Sequence, residues 1–221
     1  MNILAVTDIH SRIGYARKLV GKIKNVDVVV IAGDITDFGD INLALHIISL
    51  LQKACRNVVF VPGNCDDPKL IKVKGMRNAV NLHENCFIAG DVAFLGVGGS
   101  NITPLHTPIE YTEDELWDIL LKLFNMLESK REYLKILVSH TPPYNTKVDV
   151  TFFGTHAGSV SVRKAIETFK PKLCICGHIH EARGVDRIGE TLIVNPGPLM
   201  RKRYALISVN ENSVEVEFKT V

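Results

Sequence analysis

The 221-residue chain predicts a mixed α/β fold of two stacked β-sheets flanked by α-helices. Three observations carry that prediction. Short apolar runs alternate with helical stretches over the first sixty residues, the pattern of parallel strands joined by right-handed crossovers. Strand and helix alternate again after a hairpin signal at Gly90-Asp91, and the last forty residues read as antiparallel strands. A hydrophobic content of 46% is ample for a sizeable core.

In order, strands are expected near 2–7, 27–32 and 57–61, with helices near 12–24 and 40–54 between them. The run before Asp34, VVVIA, is apolar throughout, as a strand buried on both faces must be. Short strands near 86–89 and 92–97 flank Gly90-Asp91. The helix near 112–130 opens on a candidate capping box, Thr112 with Glu115, and carries the stripe Leu116, Ile119, Leu120, Leu123 and Leu127. A strand at 134–139, a helix near 158–170 and a strand at 172–176 follow. Turns at Gly189-Glu190 and Asn210 to Asn212 punctuate the closing strands. No repeat, linker or low-complexity stretch intervenes, so residues 1–221 read as one domain.

Composition narrows the function. A formal net charge of +2 is too mild to announce nucleic-acid or membrane binding, and the short basic stretch Arg201-Lys202-Arg203 reads as a solvated edge. Five cysteines make an odd count, and a disulfide between Cys174 and Cys176 on one strand face would be strained, which fits a reducing compartment. No charged leader precedes a long apolar run, and no segment supplies about 20 uninterrupted apolar residues for a membrane span. A cytoplasmic location is the expectation.

Seven potential metal ligands recur in order: Asp8 and His10, then Asp34, Asn64, His140, and finally His178 and His180. Most stand just after an apolar run, where a parallel sheet gathers its functional loops at one edge. Period-two alternation would put Asp8 and His10 on one side of an extended segment. Carboxylate, amide and imidazole donors suit Mn, Fe, Zn, Co or Ni, with Mn favoured, whereas structural zinc prefers thiolates. Seven donors exceed one ion's needs, so two ions are implied, spaced to bind a hydroxide between them and neutralise a phosphoryl group.

Together DIH at 8–10, GDITD at 33–37, GNCD at 63–66, SHTPP at 139–143 and GHIH at 177–180 give the chain a resemblance to the calcineurin-like metallophosphoesterase superfamily. That resemblance implies its four-layer αββα fold. It also implies one ion held by Asp8, His10 and His180, another by Asn64, His140 and His178, and Asp34 as the bridge. It further suggests NPG at 195–197 as a supporting turn, although Pro198 replaces the family's small polar residue.

Many members of that superfamily have His where this chain has Cys65. A thiol, with a reference pKa of about 8.5, is the poorer acid. Cys65 either fills space or takes part in catalysis, and with Asp66 it is the candidate catalytic pair. His83, His106 and His156 are otherwise unassigned; His156 is the best placed to substitute. The loops 100–111 and 141–157 are long for a compact domain, which usually means function or mobility. Tyr144, Phe152, Phe153 and His156 offer stacking surfaces, and Arg12 and Arg183 offer phosphate clamps. Asp37 is expected to support the ligands. The resulting expectation is a dinuclear phosphoesterase acting on a small phosphodiester or phosphomonoester, with a diester preferred because Cys65 removes the obvious acid. The alternatives are a nuclease of the same superfamily or a non-catalytic protein-binding scaffold.

Overall fold

The computed structural model describes residues 1–127 and 133–221. In chain order the strands are β1 (Asn2–Val6), β2 (Val28–Ala32), β3 (Val58–Val61), β4 (Gly75–Met76), β5 (Ala79–Asn81), β6 (Asn85–Ala89), β7 (Val92–Val97), β8 (Ser100–Asn101), β9 (Glu110–Tyr111), β10 (Leu134–Ser139), β11 (Leu173–Ile175), β12 (Gly184–Ile188), β13 (Thr191–Asn195), β14 (Arg203–Val209) and β15 (Val214–Thr220). The α-helices among the described residues are α1 (Ile13–Val20), α2 (Ile41–Gln52), α3 (Glu113–Asn125) and α4 (Val160–Phe169).

One sheet runs β15-β14-β1-β2-β3-β5-β4 and the other β12-β13-β11-β10-β7-β6. Their centres are parallel: β1, β2, β3 and β5 in the first, β7, β10, β11 and β13 in the second. Antiparallel strands lie toward the edges, including the closing β14–β15 pair.

Side-chain alternation explains the layers. Val28, Val30 and Ala32 of β2 join Ile3, Ala5, Val59 and Val61 in packing against Phe94, Ile136, Val138 and Ile175 of the second sheet. The intervening Val29 and Ile31 face Ala16 and Leu19 of α1 and Ala44, Ile47, Ile48 and Leu51 of α2. Successive residues point to opposite faces, so a strand covered on both sides has no room for a polar residue. Leu95, Leu137 and Cys174 likewise face α3 and α4 across the second sheet. The order is therefore helix, sheet, sheet, helix, the predicted architecture.

The one predicted helix cap agrees with the sequence more closely than the helix lengths do. Thr112 Oγ1 accepts the Glu115 amide at 3.3 Å, and Glu115 Oε2 accepts the Thr112 amide at 2.8 Å, completing the capping box of α3. Its whole predicted stripe is buried against the second sheet. The helix ends at Asn125, and positions 128–130 of its predicted span lie outside the described residues. Helix α1 is shorter than expected: it stops at Gly21, and the chain turns through Asn25 at φ 55°. Two features were not foreseen. Strands β4 and β5 extend the first sheet beyond β3, and the β8–β9 ladder orders the loop at 100–111. With two or three residues each, these strands are too short for periodicity to register. No helix among the described residues is long and apolar enough to cross a membrane.

Candidate metal centre

All seven predicted donors lie beyond the carboxyl ends of five parallel strands, three in one sheet and two in the other. Asp8 and His10 follow β1, Asp34 follows β2, Asn64 follows β3, His140 follows β10, and His178 and His180 follow β11. The backbone at Asp8 and His10 is not extended as expected. Asp8, His10, Asp34 and His178 adopt left-handed conformations, at φ 51°, 44°, 48° and 66°. Each such non-glycine residue costs on the order of 1–3 kcal/mol unless its surroundings over-determine it. Here they do. The Asp8 amide donates to the Gly33 carbonyl and the His10 amide to the Asp34 carbonyl, both at 3.0 Å, while the His178 amide donates to the Asp8 carboxylate. Asp8 and His10 thus reach one site through two linked turns, not by strand alternation.

The donors fall into two groups with Asp34 between them. His10 Nε2 and His180 Nε2 face each other at 3.1 Å, with Asp8 Oδ1 4.0 Å and 3.3 Å from them respectively. Ligand atoms of Asp8, His10, Asp34 and His180 all lie within 4.8 Å of one another. On the other side His140 Nε2 is 2.9 Å from Asn64 Oδ1, and the His178 ring meets His140 edge-on at 5.1 Å between centroids. Asp34 Oδ2 is 3.5 Å from His10 Nε2, and its Oδ1 is 3.5 Å from His140 Nε2. One carboxylate therefore turns an oxygen toward each group.

The protonation pattern of these donors fits a cation. His140 Nδ1 lies 2.8 Å from the Ala32 carbonyl, which only accepts, so that nitrogen carries the hydrogen. Asn64 Nδ2 donates to Thr107 Oγ1 at 2.9 Å, and the Thr107 hydroxyl in turn donates to Glu110 at 2.6 Å. The relay turns Asn64 Oδ1 inward. A neutral His140 then presents a lone pair to another lone pair, an arrangement relieved by a proton or a metal ion. Without a metal the proton is favoured: burial opposes the charge, but the Asp34 carboxylate outweighs it and lifts His140 to about 9. Burial likewise works against ionised Asp34, yet His140 holds its carboxyl well below the usual range. His178 is depressed to about 4, first by burial and then by His140, so its imidazole is neutral and ready to coordinate.

A second layer surrounds the donors, and sequence reading missed most of it. The Thr7 hydroxyl lies 2.9 Å from both Asp8 Oδ2 and the Ala32 carbonyl. Asp37 approaches His10 Nδ1 at 3.6 Å from a largely exposed position, consistent with a supporting part. Gly63 permits the closest glycine approach to a donor, since a Cβ there would stand 2.0 Å from Asp34 Oδ1.

The other sequence candidates are more dispersed. Cys65 is half-buried beside Asp34, with its amide donating to Asp34 Oδ1 at 2.8 Å. Burial, then the surrounding carboxylates, push its thiol well up. Asp66 is wholly buried and close enough to Asp34 to feel its charge. Its oxygens accept the Ile35, Thr36 and Gly63 amides and the Thr36 hydroxyl, bracing the loop after β2 against the loop after β3. His156 donates from Nδ1 to the buried Asp149 at 2.7 Å and meets Tyr144 edge-on. Asp149 also takes the Asn145, Thr146 and Gly158 amides, so it staples the loop at 141–157. The side chains of Arg12, Tyr144 and His156 make no hydrogen bond, ion pair or ring contact with the seven donors. Arg183 is engaged elsewhere, bonded to the Pro196 and Lys219 carbonyls. His83 accepts the Gly98 amide and is structural.

Residues 1–182 match the family model for calcineurin-like phosphoesterases. The uncharacterized protein MJ1162 of Methanocaldococcus jannaschii is 38% identical, over 98% of this chain and 96% of its own length. A probable cyclic nucleotide phosphodiesterase of Vesicomyosocius okutanii subsp. Calyptogena okutanii is 24% identical, over 84% of this chain and 76% of its own. Among solved structures, TT1561 of Thermus thermophilus shares the fold with a TM-score of 0.76 at 21% identity, over 98% of this chain and 97% of that one.

Proposed function

The chain belongs to the calcineurin-like phosphoesterase family, and from that premise we propose that it hydrolyses small phosphoesters, diesters in preference to monoesters, using two divalent transition-metal ions. Manganese is the favoured metal. The observation that carries this reading is Asp34, whose two oxygens face separate donor groups at 3.5 Å each. Asp8, His10 and His180 would hold one ion and Asn64, His140 and His178 the other. When bound, such ions supply the Lewis acidity that makes water nucleophilic near neutral pH and neutralises phosphoryl oxygens.

The rest falls to the chain. The Thr7, Asp37 and Thr107 contacts orient Asp8, His10 and Asn64, and the two left-handed turns after β1 aim Asp8 and His10 at one point. Burial and the surrounding carboxylates keep the Cys65 thiol a poor acid for a departing oxygen. A leaving group that departs as a stable anion is therefore favoured, which is the argument for an activated diester. The similarity to the probable cyclic nucleotide phosphodiesterase of Vesicomyosocius favours a diester, though not an activated leaving group. Arg12, Tyr144 and His156 are proposed as contacts for the parts of a substrate beyond the phosphate, and Asp66 as a positioning residue.

The test is elemental analysis of manganese-loaded protein together with turnover of bis(4-nitrophenyl) phosphate. Near two ions per chain are expected. Asp34→Asn should lower turnover by several orders of magnitude, whereas Asp37→Asn, which only supports His10, should cost about 10–100-fold. Protein that retains no metal after loading would overturn the reading. Loaded protein inert toward every ester would favour the scaffold, and greater activity on DNA than on small diesters would favour the nuclease.

A further inference from the structure

The metal centre opens on one side into a cleft of about 460 Å³ that shares His178 and His180 with it. The far walls are apolar. Ile102, Pro104 and Leu105 come from the loop after β8, Ala157 from the loop before α4, and Ile179 from between the two histidines. No lysine or arginine is among its described lining residues, and the acidic group there is Glu181.

Its shape is built, not incidental. Glu110 accepts the Thr103 and Thr107 hydroxyls, both at 2.6 Å, and the Thr107 amide, which ties residues 103–107 into a closed loop. That loop presents Leu105 outward, 81% exposed, with Ile102 at 59% beside it. The Phe152 amide donates to Glu181, a lining residue, and the side chains of Phe152 and Phe153 are exposed. Large apolar side chains held in water beside a reaction centre mark a surface that is covered in use.

We infer that this cleft binds an uncharged, apolar arm of the phosphoester substrate, an alkyl, acyl or aryl group carried on the phosphate. The inference rests on the phosphoesterase reading and narrows its substrate class. A second phosphate or a nucleic-acid backbone would meet Glu181 and no compensating cation. At about 30 Å³ per water-sized group the cleft has room for roughly fifteen non-hydrogen atoms, within the range of small-molecule sites.

The experiment is a series of alkyl 4-nitrophenyl phosphodiesters, methyl to octyl, with the manganese-loaded protein. Each methylene that enters the cleft should raise kcat/KM about four-fold, the equivalent of ~0.8 kcal/mol per buried methylene. An arm ending in a carboxylate should lose that gain. Leu105→Asp, at a loop tip where folding is not at stake, should sharply reduce the octyl-to-methyl ratio. A flat or falling series, or an octyl preference untouched by Leu105→Asp, would overturn the inference while leaving phosphoester hydrolysis intact. If no member is hydrolysed, calorimetry with methyl and octyl phosphate decides separately. Tighter octyl binding upholds the cleft and sinks only the hydrolase, and equal or absent binding sinks the cleft.

Discussion

Thr107 lies 43 positions from Asn64, yet it decides which way that amide points. Thr107→Val keeps the volume and removes the hydroxyl, so the Asn64 side of the centre should lose about 10–100-fold in metal affinity. Titration of metal-free protein with manganese would show one weakened site and one unchanged. Glu110, one step further out, carries a pH signature. Burial, the largest single effect, disfavours its charge, but the threonine hydroxyls and the Thr107 amide together outweigh it and hold its carboxyl at about 2. A depressed folded value means stability that is complete above the unfolded carboxylate range and lost as pH falls toward 2. The gap in urea midpoint between wild type and Glu110→Gln should therefore narrow between pH 6 and pH 3. A constant gap would show that the carboxylate charge is not what closes the loop. At this scale the donors were legible in the sequence because each follows an apolar run or a glycine turn. Thr7, Thr107 and Glu110 were not, because their partners are assembled only by the fold. The left-handed turns at Asp8 and His10 were misread as extended, since the modest enrichment of aspartate and histidine at positive φ does not outweigh the apolar strand pattern that precedes them.

The strand-end turns set the tolerances of the site. At Gly63 a methyl group would press on both the Asp34 carboxylate and its backbone nitrogen, the latter at 2.1 Å. Gly63→Ala should therefore move the loop after β2 and abolish metal retention, at a stability cost of about 1–3 kcal/mol. Near-wild-type metal content in that variant would show that the loop yields cheaply. Helix α3 offers a contrast, for its capping box stands apart from the donors. Thr112→Ala should cost about 1 kcal/mol by thermal denaturation and leave metal content unchanged. Elements with a strong period or a cap were readable in advance, as were strands apolar from end to end. Strands β4, β5, β8 and β9 were not, because register with a neighbour defines them and their few residues carry no pattern.

The donors come from both sheets, with Asp8, His10, Asp34 and Asn64 from one and His140, His178 and His180 from the other. Bound ions would bolt the sandwich together along its upper rim. An ion present at a thousand times its Kd stabilises the folded state by about 4 kcal/mol, and each kcal/mol moves Tm by roughly 2–4 °C in a protein of this size. Chelation should therefore lower Tm by about 10 °C or more, and a melting curve indifferent to chelator would argue against ions held between the sheets. The layer order was legible because strands apolar from end to end need cover on both faces, whereas the pairing of β1 with β14 was not, being a contact between distant parts of the chain. That pairing bears on how the molecule is made. Strand β1 leaves the ribosome well before the strand that covers its open edge, which begins only at Arg203. At about 5–20 residues per second, translation leaves that edge unpaired for roughly 10–40 s. For that interval the nascent chain displays a bare apolar strand, an opportunity for a chaperone and a hazard in a crowded polysome.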